Sequence, residues 1–251
     1  MAQDASENTQ GPLLSHLIEL RSRIIRSATA ILAVFLCMVP FSSPIFDAVA
    51  APLLSALPQG ARMIATGVIT PFLIPVKVSL LLAFLVALPY VLHQAWSFIV
   101  PGLYEHERRL AGPLIVSSCI LFVTGMAFCY FFVFGVVFQS IYRWAPHSIS
   151  VAPDIESYYS FVITMFLAFG LTFEVPVAVM VLVRMGVVSL QKLKEIRRYV
   201  IVGSFVVSAI VTPPDVVSQL LLAIPLCLLY EIGLILTPLF LKQHIHGTNT
   251  A

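Results

Sequence analysis

Of the 251 residues, 59% are hydrophobic, only 10% are charged, and the formal net charge at pH 7 is +2. Charged residues make up about a quarter of a soluble globular domain, so this composition excludes a soluble globular protein. The small net charge argues against binding of nucleic acid. Apolar stretches long enough to cross a bilayer recur along the chain, and they do not alternate with polar residues. The sequence therefore predicts an all-α polytopic membrane protein.

Six membrane-spanning helices are predicted from the lengths of these apolar runs. They cover residues 24–41, 70–100, 113–140, 156–184, 199–213 and 216–236. We interpret the first run as a retained span. A cleaved signal peptide is the alternative, but the stretch Ala48-Val49-Ala50 that resembles a cleavage site lies well past the end of the apolar segment.

The distribution of lysine and arginine predicts the orientation of these spans. With the N-terminus inside, the inner segments hold eleven basic residues: Arg21, Arg23, Arg26, Arg108, Arg109, Arg184, Lys192, Lys194, Arg197, Arg198 and Lys242. The outer segments hold only Arg62 and Arg143, and Lys77 lies within the second span. We therefore expect a cytoplasmic segment at 1–23, a single six-helix transmembrane domain at 24–241, and a cytoplasmic polar tail at 242–251.

Two spans have unusual lengths. The second, at about 30 residues, is long for a hydrocarbon core of ~30 Å and contains three prolines at which it can bend. The fifth, 199–213, reaches only ~21 Å at 1.5 Å per residue. Pro213 and Pro214 leave room for no more than a tight hairpin between the fifth and sixth spans, and Asp215 can cap the sixth helix. The outer loops, 42–69 and 141–156, have room for short helices.

Several polar residues fall inside or at the ends of the spans. Glu174, beside Pro176, is either part of a polar site on a wet face of the protein or a protonated carboxyl group bonded to a neighbouring helix. Glu231 is close enough to the inner end of the sixth span to reach the interface. At the outer end, Thr212, Ser218 and Gln219 can bond within this chain or to a partner's membrane helix.

Two predicted cytoplasmic segments combine acids with arginines. The first, HLIELR at 16–21, contains Glu19, and the second, LYEHERRL at 103–110, contains Glu105 and Glu107. Two converging glutamates would form a site for guanidinium groups, because carboxylates accept bidentate, charge-assisted hydrogen bonds from arginine. Solvated ion pairs within each segment are the alternative, and the residues alone do not decide between them.

No catalytic motif is evident, because the sequence contains no Walker A loop, no HExxH and no GxSxG. The four cysteines lie in apolar runs, and His244 and His246 lie in the predicted polar tail. We therefore predict that the protein is not an enzyme and that it has no metal or other cofactor.

Five segments together resemble the TatC family, the core receptor subunit of the twin-arginine protein translocase. They are HLIELR (16–21), MIAT (63–66), LYEHERRL (103–110), FEVPV (173–177) and TPPDVVSQLLLAIPL (212–226). The resemblance extends from about Leu13 to Phe240.

The resemblance implies a fold and a function. The fold is a cupped bundle of six helices with both termini in the cytoplasm of a bacterium, embedded in its cytoplasmic (inner) membrane. The function is recognition of paired-arginine signal peptides on folded cargo, which is then exported at the expense of the proton-motive force. Single-helix subunits of the TatA and TatB type are the expected partners, together with self-association in a larger complex.

The resemblance also assigns roles to particular residues. Signal-peptide binding falls on Glu19, Glu107 and Phe98, the intramembrane glutamate is Glu174, partner-helix contacts fall on Thr212 and Gln219, and outer-side roles fall on Pro52 and Asp215. Glu105 is less closely tied to the family pattern than Glu107. The alternative function, a secondary transporter or proton channel, depends on Glu174, and a purely structural scaffold for single-helix partners leaves the cytoplasmic acids unexplained.

Overall fold

The computed structural model describes residues 4–56, 63–99, 111–144, 152–212 and 215–246. These ranges contain ten α-helices: α1 Asp4–Met38, α2 Ser42–Ala56, α3 Thr70–Ile99, α4 Ala111–Phe128, α5 Phe134–Trp144, α6 Ile155–Phe173, α7 Val175–Arg184, α8 Leu190–Glu195, α9 Arg197–Val211 and α10 Val216–His246. A 3₁₀ turn, Val39–Phe41, joins α1 to α2, and a π turn, Cys129–Val133, joins α4 to α5. Within these ranges β structure is limited to one isolated bridge between Ile64 and Asp154.

The predicted all-α membrane fold is confirmed. Five helical stretches are long and apolar enough to cross a membrane: Leu17–Ser55, Thr70–Phe98, Gly112–Ser140, Ile155–Arg184 and Val216–Pro238. They correspond to five of the six predicted spans. The remaining span is α9, whose 15 residues reach ~22 Å at 1.5 Å per residue, as short as its sequence indicates. The last helix is longer than predicted, since α10 continues through His246 into the predicted polar tail.

The helix α2 lies in the predicted outer loop and is fastened to the bundle by hydroxyl groups. Pro52 lies inside α2 and has no backbone N–H, so the carbonyl of Ala48, four residues earlier, lacks its helical donor. Tyr130 supplies the missing donor through a hydrogen bond of 2.8 Å to that carbonyl oxygen. The hydroxyls of Tyr158 and Tyr159 donate to two more carbonyls of α2, those of Val49 (3.1 Å) and Phe46 (2.8 Å).

The main core lies where α2, α3, α4, α5 and α6 meet. Phe134, Tyr159 and Phe169 are among its fully buried side chains. The helices α4 and α6 approach closely at two glycines. A Cβ on Gly125 would lie 2.5 Å from the carbonyl oxygen of Phe169, and a Cβ on Gly170 would lie 2.5 Å from the ring of Phe122. Small residues at a helix crossing allow this approach within a membrane.

We name as the basic end the end of the bundle where α3 and α7 finish and α9 begins. The turn after α7 contains Gly186, whose φ of +69° is readily adopted only by glycine. The hydroxyl of Tyr230 on α10 donates a buried hydrogen bond of 2.8 Å to the carbonyl oxygen of Leu193 on α8. Arg197 and Glu231, at the surface, form an ion pair of 2.9 Å.

Candidate functional site

A carboxylate–guanidinium pair lies on α1 near the basic end. The Arg23 Nε donates a hydrogen bond of 3.0 Å to Oε1 of Glu19, and an Nη2 hydrogen of Arg23 is directed at the same oxygen. The side chain of Arg23 is 20% exposed and that of Glu19 is 40% exposed. The carboxylate predicted to bind a ligand's arginine is therefore accessible, and it already holds a guanidinium group of its own chain.

A cavity of about 420 Å³ lies between α1 and α3, beside this pair. Its wall is mostly apolar, and Arg23, Ser27 and Gln94 contribute polar groups. Gln94 is only 6% exposed, and its Oε1 accepts no hydrogen bond from any residue that the structure describes. Phe98, to which the family resemblance assigns signal binding, also lines this cavity. The structure therefore brings Glu19 and Phe98 to the same region through their common neighbour Arg23.

The second acidic segment is LYEHERRL. Residues 103–110 lie outside the described residues. The convergence of Glu107 with Glu19, and the ion pairs predicted within that segment, therefore remain predictions.

Glu174 lies where the fourth predicted span is broken. The residue ends α6 and precedes α7, and Pro176 lies in the first turn of α7. The Glu174 carboxyl lies close to the hydroxyl of Ser118 on α4, and its buried Oε1 has no hydrogen-bond partner among the described residues. Ser118 is fully buried and accepts a hydrogen bond of 3.3 Å from the indole N–H of Trp96 on α3. The surroundings of this carboxyl group therefore include Ser118 of α4 and, through Ser118, Trp96 of α3, in addition to the junction of α6 and α7.

The tight hairpin between α9 and α10 satisfies most of its polar side chains internally. Asp215 accepts a hydrogen bond of 2.7 Å from the amide of Ser218 and caps α10, as predicted. The Gln219 side-chain amide donates to the carbonyl oxygen of Phe205 (3.2 Å), and the Thr212 hydroxyl donates to that of Ser208 (2.8 Å). Of the two alternatives for these polar residues, the contacts agree with hydrogen bonding within this chain. The exposed Ile210 and Val216 beside them leave an apolar surface at this end.

A polar connection at the opposite end was not anticipated from the sequence. Asp154 caps α6 by accepting a hydrogen bond of 3.0 Å from the Ser157 amide, and it also accepts one of 2.8 Å from the Thr66 hydroxyl. These bonds, the Ser157 amide first, lower the pKa of Asp154 to about 2. Nearby, Lys77 lies 3.6 Å from Glu156. The sequence signal for the cap was present, since Asp followed by an apolar run favours a helix start.

Arg23 and Gln94 were also not assigned to the site from the sequence. Arg23 was used only as one of the basic residues that predict the orientation of the spans. The spacing of Glu19 and Arg23, four residues apart in a helix, was a readable signal for their pairing. A glutamine within an apolar span was a second signal. Within the described ranges, no cluster of three or more histidine, cysteine, aspartate or glutamate side chains could hold a metal ion.

Comparison with known proteins places this arrangement in a family. The family described as "Sec-independent protein translocase protein (TatC)" matches residues 15–225. The TatC protein of Escherichia coli K12 is 51% identical over 227 residues, which cover 90% of this chain and 88% of that protein. The protein of the same name from Aquifex aeolicus is 38% identical, and the match covers 92% of this chain and 97% of that one.

A solved structure is also similar. A crystal structure of the "Twin Arginine Translocase Receptor- TatC" superimposes with a TM-score of 0.78 at 38% identity, covering 89% of this chain and 98% of that one. Both the sequence match and the structural match extend over most of the molecule. The chain therefore belongs to the TatC family of Sec-independent protein translocase proteins.

Proposed function

We propose that this chain is the subunit that binds paired-arginine signal peptides of folded cargo and, with single-helix partners, exports that cargo. The solved TatC structure is described as a translocase receptor, which supports a receptor role here. In this proposal the basic end faces the cytoplasm of a bacterium, in agreement with the bias of its lysines and arginines, and the bundle lies in the inner membrane.

The observation that carries the proposal is the geometry around Glu19. Its carboxylate accepts charge-assisted hydrogen bonds from a guanidinium group, the chemical group that a paired-arginine signal presents. The carboxylate is 40% exposed, so a ligand can reach it. The adjoining cavity, with Phe98 in its wall, offers an apolar surface for the residues next to such an arginine. Glu107 would supply the second carboxylate.

The remaining predicted residues support the later steps of export. Partner helices of the TatA and TatB type would dock at the short hairpin, where Thr212 and Gln219 lie beside the exposed Ile210 and Val216. Because α9 spans only ~22 Å, a neighbouring helix there also shields its ends from the thicker bilayer. Glu174 would contact the inserted signal, and the proton-motive force would drive transport.

Site-specific photo-crosslinking tests the receptor role. A crosslinking amino acid replaces a residue next to Glu19 or next to Glu107, so that both carboxylates remain, in the complex with its partner subunits. The cargo carries either a paired-arginine or a paired-lysine signal. We expect crosslinks that require the arginines. Equal crosslinking of both signals, or none, would place recognition on a partner or another surface.

A matched pair of variants tests the loop acid. Glu107→Ala should weaken binding of a paired-arginine signal by about 2–5 kcal/mol, and binding of a paired-lysine signal by less, because only arginine forms the bidentate bond. Glu105→Ala removes the same charge two residues away and should leave the affinity close to that of the unaltered protein. Equal losses for the two signals would contradict bidentate recognition.

The alternative of a secondary transporter or proton channel depended on Glu174 alone. Membership of a protein translocase family gives the chain a different role, and the partly unsatisfied carboxyl group lies within the broken span of that machinery. Proton uptake by purified protein in vesicles, without partners or cargo, would revive the alternative. We expect no uptake above that of empty vesicles.

A further inference from the structure

We infer that Arg23 and Gln94 form a two-position device that sets the affinity of the signal site. In the first position Arg23 occupies Glu19 and competes with the incoming guanidinium. In the second position, the displaced Arg23 side chain enters the cavity between α1 and α3 and donates to Oε1 of Gln94. This inference rests on the proposed role of Glu19 in signal binding.

Competition follows from the chemistry of the pair. Both the Nε and the Nη2 of Arg23 are directed at Oε1 of Glu19, so this oxygen is already engaged. A bidentate arginine from a signal peptide needs both carboxylate oxygens. It therefore has to displace Arg23. Arg23 acts as an intramolecular competitor, because it presents the same guanidinium group as the signal peptide.

The cavity offers Arg23 a second place. Arg23 and Gln94 line the same cavity, but Oε1 of Gln94 is itself buried, so the second position requires the Gln94 amide to turn its oxygen toward the cavity as the Arg23 guanidinium enters it. Gln94 is 94% buried, being 6% exposed, and among the described residues nothing donates to its Oε1. A buried acceptor without a donor costs free energy, so accepting a hydrogen bond from Arg23 offsets part of the loss of the ion pair.

Binding measurements on the purified complex with its partner subunits test the competition. A fluorescent paired-arginine signal peptide is titrated at fixed ionic strength, and its anisotropy gives the dissociation constant. Arg23→Gln should raise the affinity about 2- to 5-fold, the range expected for a partly exposed ion pair between residues four apart in a helix. Arg23→Lys keeps a competing cation and should remain close to the unaltered protein.

Two further variants separate competition from a general effect of charge. Arg26→Gln removes the same charge from an exposed position on α1 and should not raise the affinity. The gain from Arg23→Gln should also vanish when Glu19 is replaced by Gln, because no carboxylate then remains to compete for. A gain that persists in the Glu19→Gln background, or that Arg26→Gln reproduces, overturns the inference.

A variant of the cavity tests the second position. Gln94→Met keeps the size of the side chain and removes the acceptor oxygen, so displaced Arg23 loses its partner and the affinity should fall about 2- to 10-fold. The same change should have no effect in the Arg23→Gln background. A fall of equal size in both backgrounds means that Gln94 acts directly on the signal or on folding, and it excludes the role as acceptor for Arg23.

The Glu19→Gln variant distinguishes failure of the inference from failure of the proposed function. If Glu19→Gln leaves signal binding unchanged, Glu19 is not part of the receptor site and the proposed function loses its main support. If Glu19→Gln weakens binding but Arg23→Gln does not strengthen it, the receptor role stands and the competition is wrong. Thermal unfolding of each complex identifies variants that fail to fold. If Arg23→Gln does not fold, Arg23→Met, which keeps the apolar stem of the side chain and removes its charge, replaces it in the same binding test.

Discussion

The hydroxyl of Tyr130 donates its hydrogen bond of 2.8 Å to the backbone carbonyl oxygen of Ala48, the one carbonyl of α2 that Pro52 leaves without a helical donor. Replacing Tyr130 with Phe should cost about 1 kcal/mol, because that carbonyl then loses its protein donor. In a Pro52→Ala background the cost should be smaller, since residue 52 regains an N–H for Ala48. Equilibrium unfolding in mixed detergent and SDS micelles would measure both values.

The control for this cycle is Tyr159. Its hydroxyl bonds to the carbonyl oxygen of Phe46, whose helical donor, the amide of Ala50, does not depend on Pro52. Tyr159→Phe should therefore cost the same with proline or alanine at position 52. Equal costs of Tyr130→Phe in both backgrounds would show that Pro52 and Tyr130 are not coupled.

The low pKa of Asp154 makes the opposite end of the bundle sensitive to acid. Hydrogen bonds from the Ser157 amide and the Thr66 hydroxyl lower the pKa from 3.8 to about 2, so they stabilise the ionised folded form. This stabilisation is present in full above the unfolded pKa of 3.8 and is lost as the pH falls through about 2.

We therefore expect Asp154→Asn to lower the unfolding temperature near pH 6 and to differ progressively less from the unaltered protein between pH 4 and pH 2. Thermal unfolding followed by circular dichroism across this range provides the measurement. Thr66→Val removes one of the two donors and should show a smaller effect of the same sign. A constant difference between Asp154→Asn and the unaltered protein at every pH would rule out the linkage.

The crossing of α4 and α6 should not tolerate a methyl group at Gly125. A Cβ there would lie 2.5 Å from the carbonyl oxygen of Phe169 and 2.9 Å from the ring of Phe173, so the helices have to move apart. Gly125→Ala should destabilise the fold by about 1–3 kcal/mol. Gly135→Ala, where no atom lies within 4 Å of the added Cβ, should be neutral or stabilising by up to about 1 kcal/mol. Equal effects in SDS unfolding would contradict the close approach.

Two adjacent serines on α4 allow the stability contribution of a buried polar network to be compared with that of a local hydrogen bond. Ser118 contacts Glu174 and accepts from Trp96, whereas Ser117 donates only to the carbonyl oxygen of Leu114, at 2.9 Å. Ser118→Ala should cost about 1–3 kcal/mol, because it removes the acceptor of the buried Trp96 N–H and a polar neighbour of the Glu174 carboxyl group. Ser117→Ala should cost less than about 0.5 kcal/mol. SDS unfolding of both variants decides between them, and equal costs would refute the network.

Neighbouring residues of α10 offer a similar contrast at the basic end. Tyr230→Phe removes a buried hydrogen bond to the carbonyl oxygen of Leu193 and should cost about 1–2 kcal/mol. Glu231→Gln weakens an ion pair whose partners are both about half-exposed, so it should cost no more than about 0.5 kcal/mol. The same unfolding assay gives the order, and a larger loss for Glu231→Gln would reverse our assignment of the two contacts.

Apolar length and the positions of charges were enough to predict the helices of this fold. They located the helical spans, the shortness of α9 and the cap at Asp215, because each depends on local composition and spacing. The assignments to the TatC family and to transport rather than catalysis are confirmed by its relatives. The break at Glu174 was not predicted as a break, although Pro176 marked the place.

The candidate site was less accessible to such reasoning, because its decisive features are pairings between distant helices. The acidic motif indicated Glu19 and the family resemblance indicated Phe98, but neither predicted the cavity beside them, which exists only where α1 packs on α3. Glu174 was recognised as exceptional, but its proximity to Ser118 depends on how α4 packs against the junction of α6 and α7. Likewise, Pro52 could be read from the sequence, whereas Tyr130, which donates to the carbonyl that Pro52 leaves without a helical donor, lies on another span.

The tyrosine fastening of α2 also constrains the order in which the molecule can be completed during synthesis. The three hydroxyl groups lie 82, 109 and 113 residues beyond the carbonyls that they satisfy. A ribosome releases α2 long before Tyr158 and Tyr159 emerge. The carbonyls of α2 that these tyrosines satisfy therefore remain hydrated until the span that begins at Ile155 is inserted. The second helix to be synthesised is therefore fixed in place only after three later spans have been inserted into the membrane.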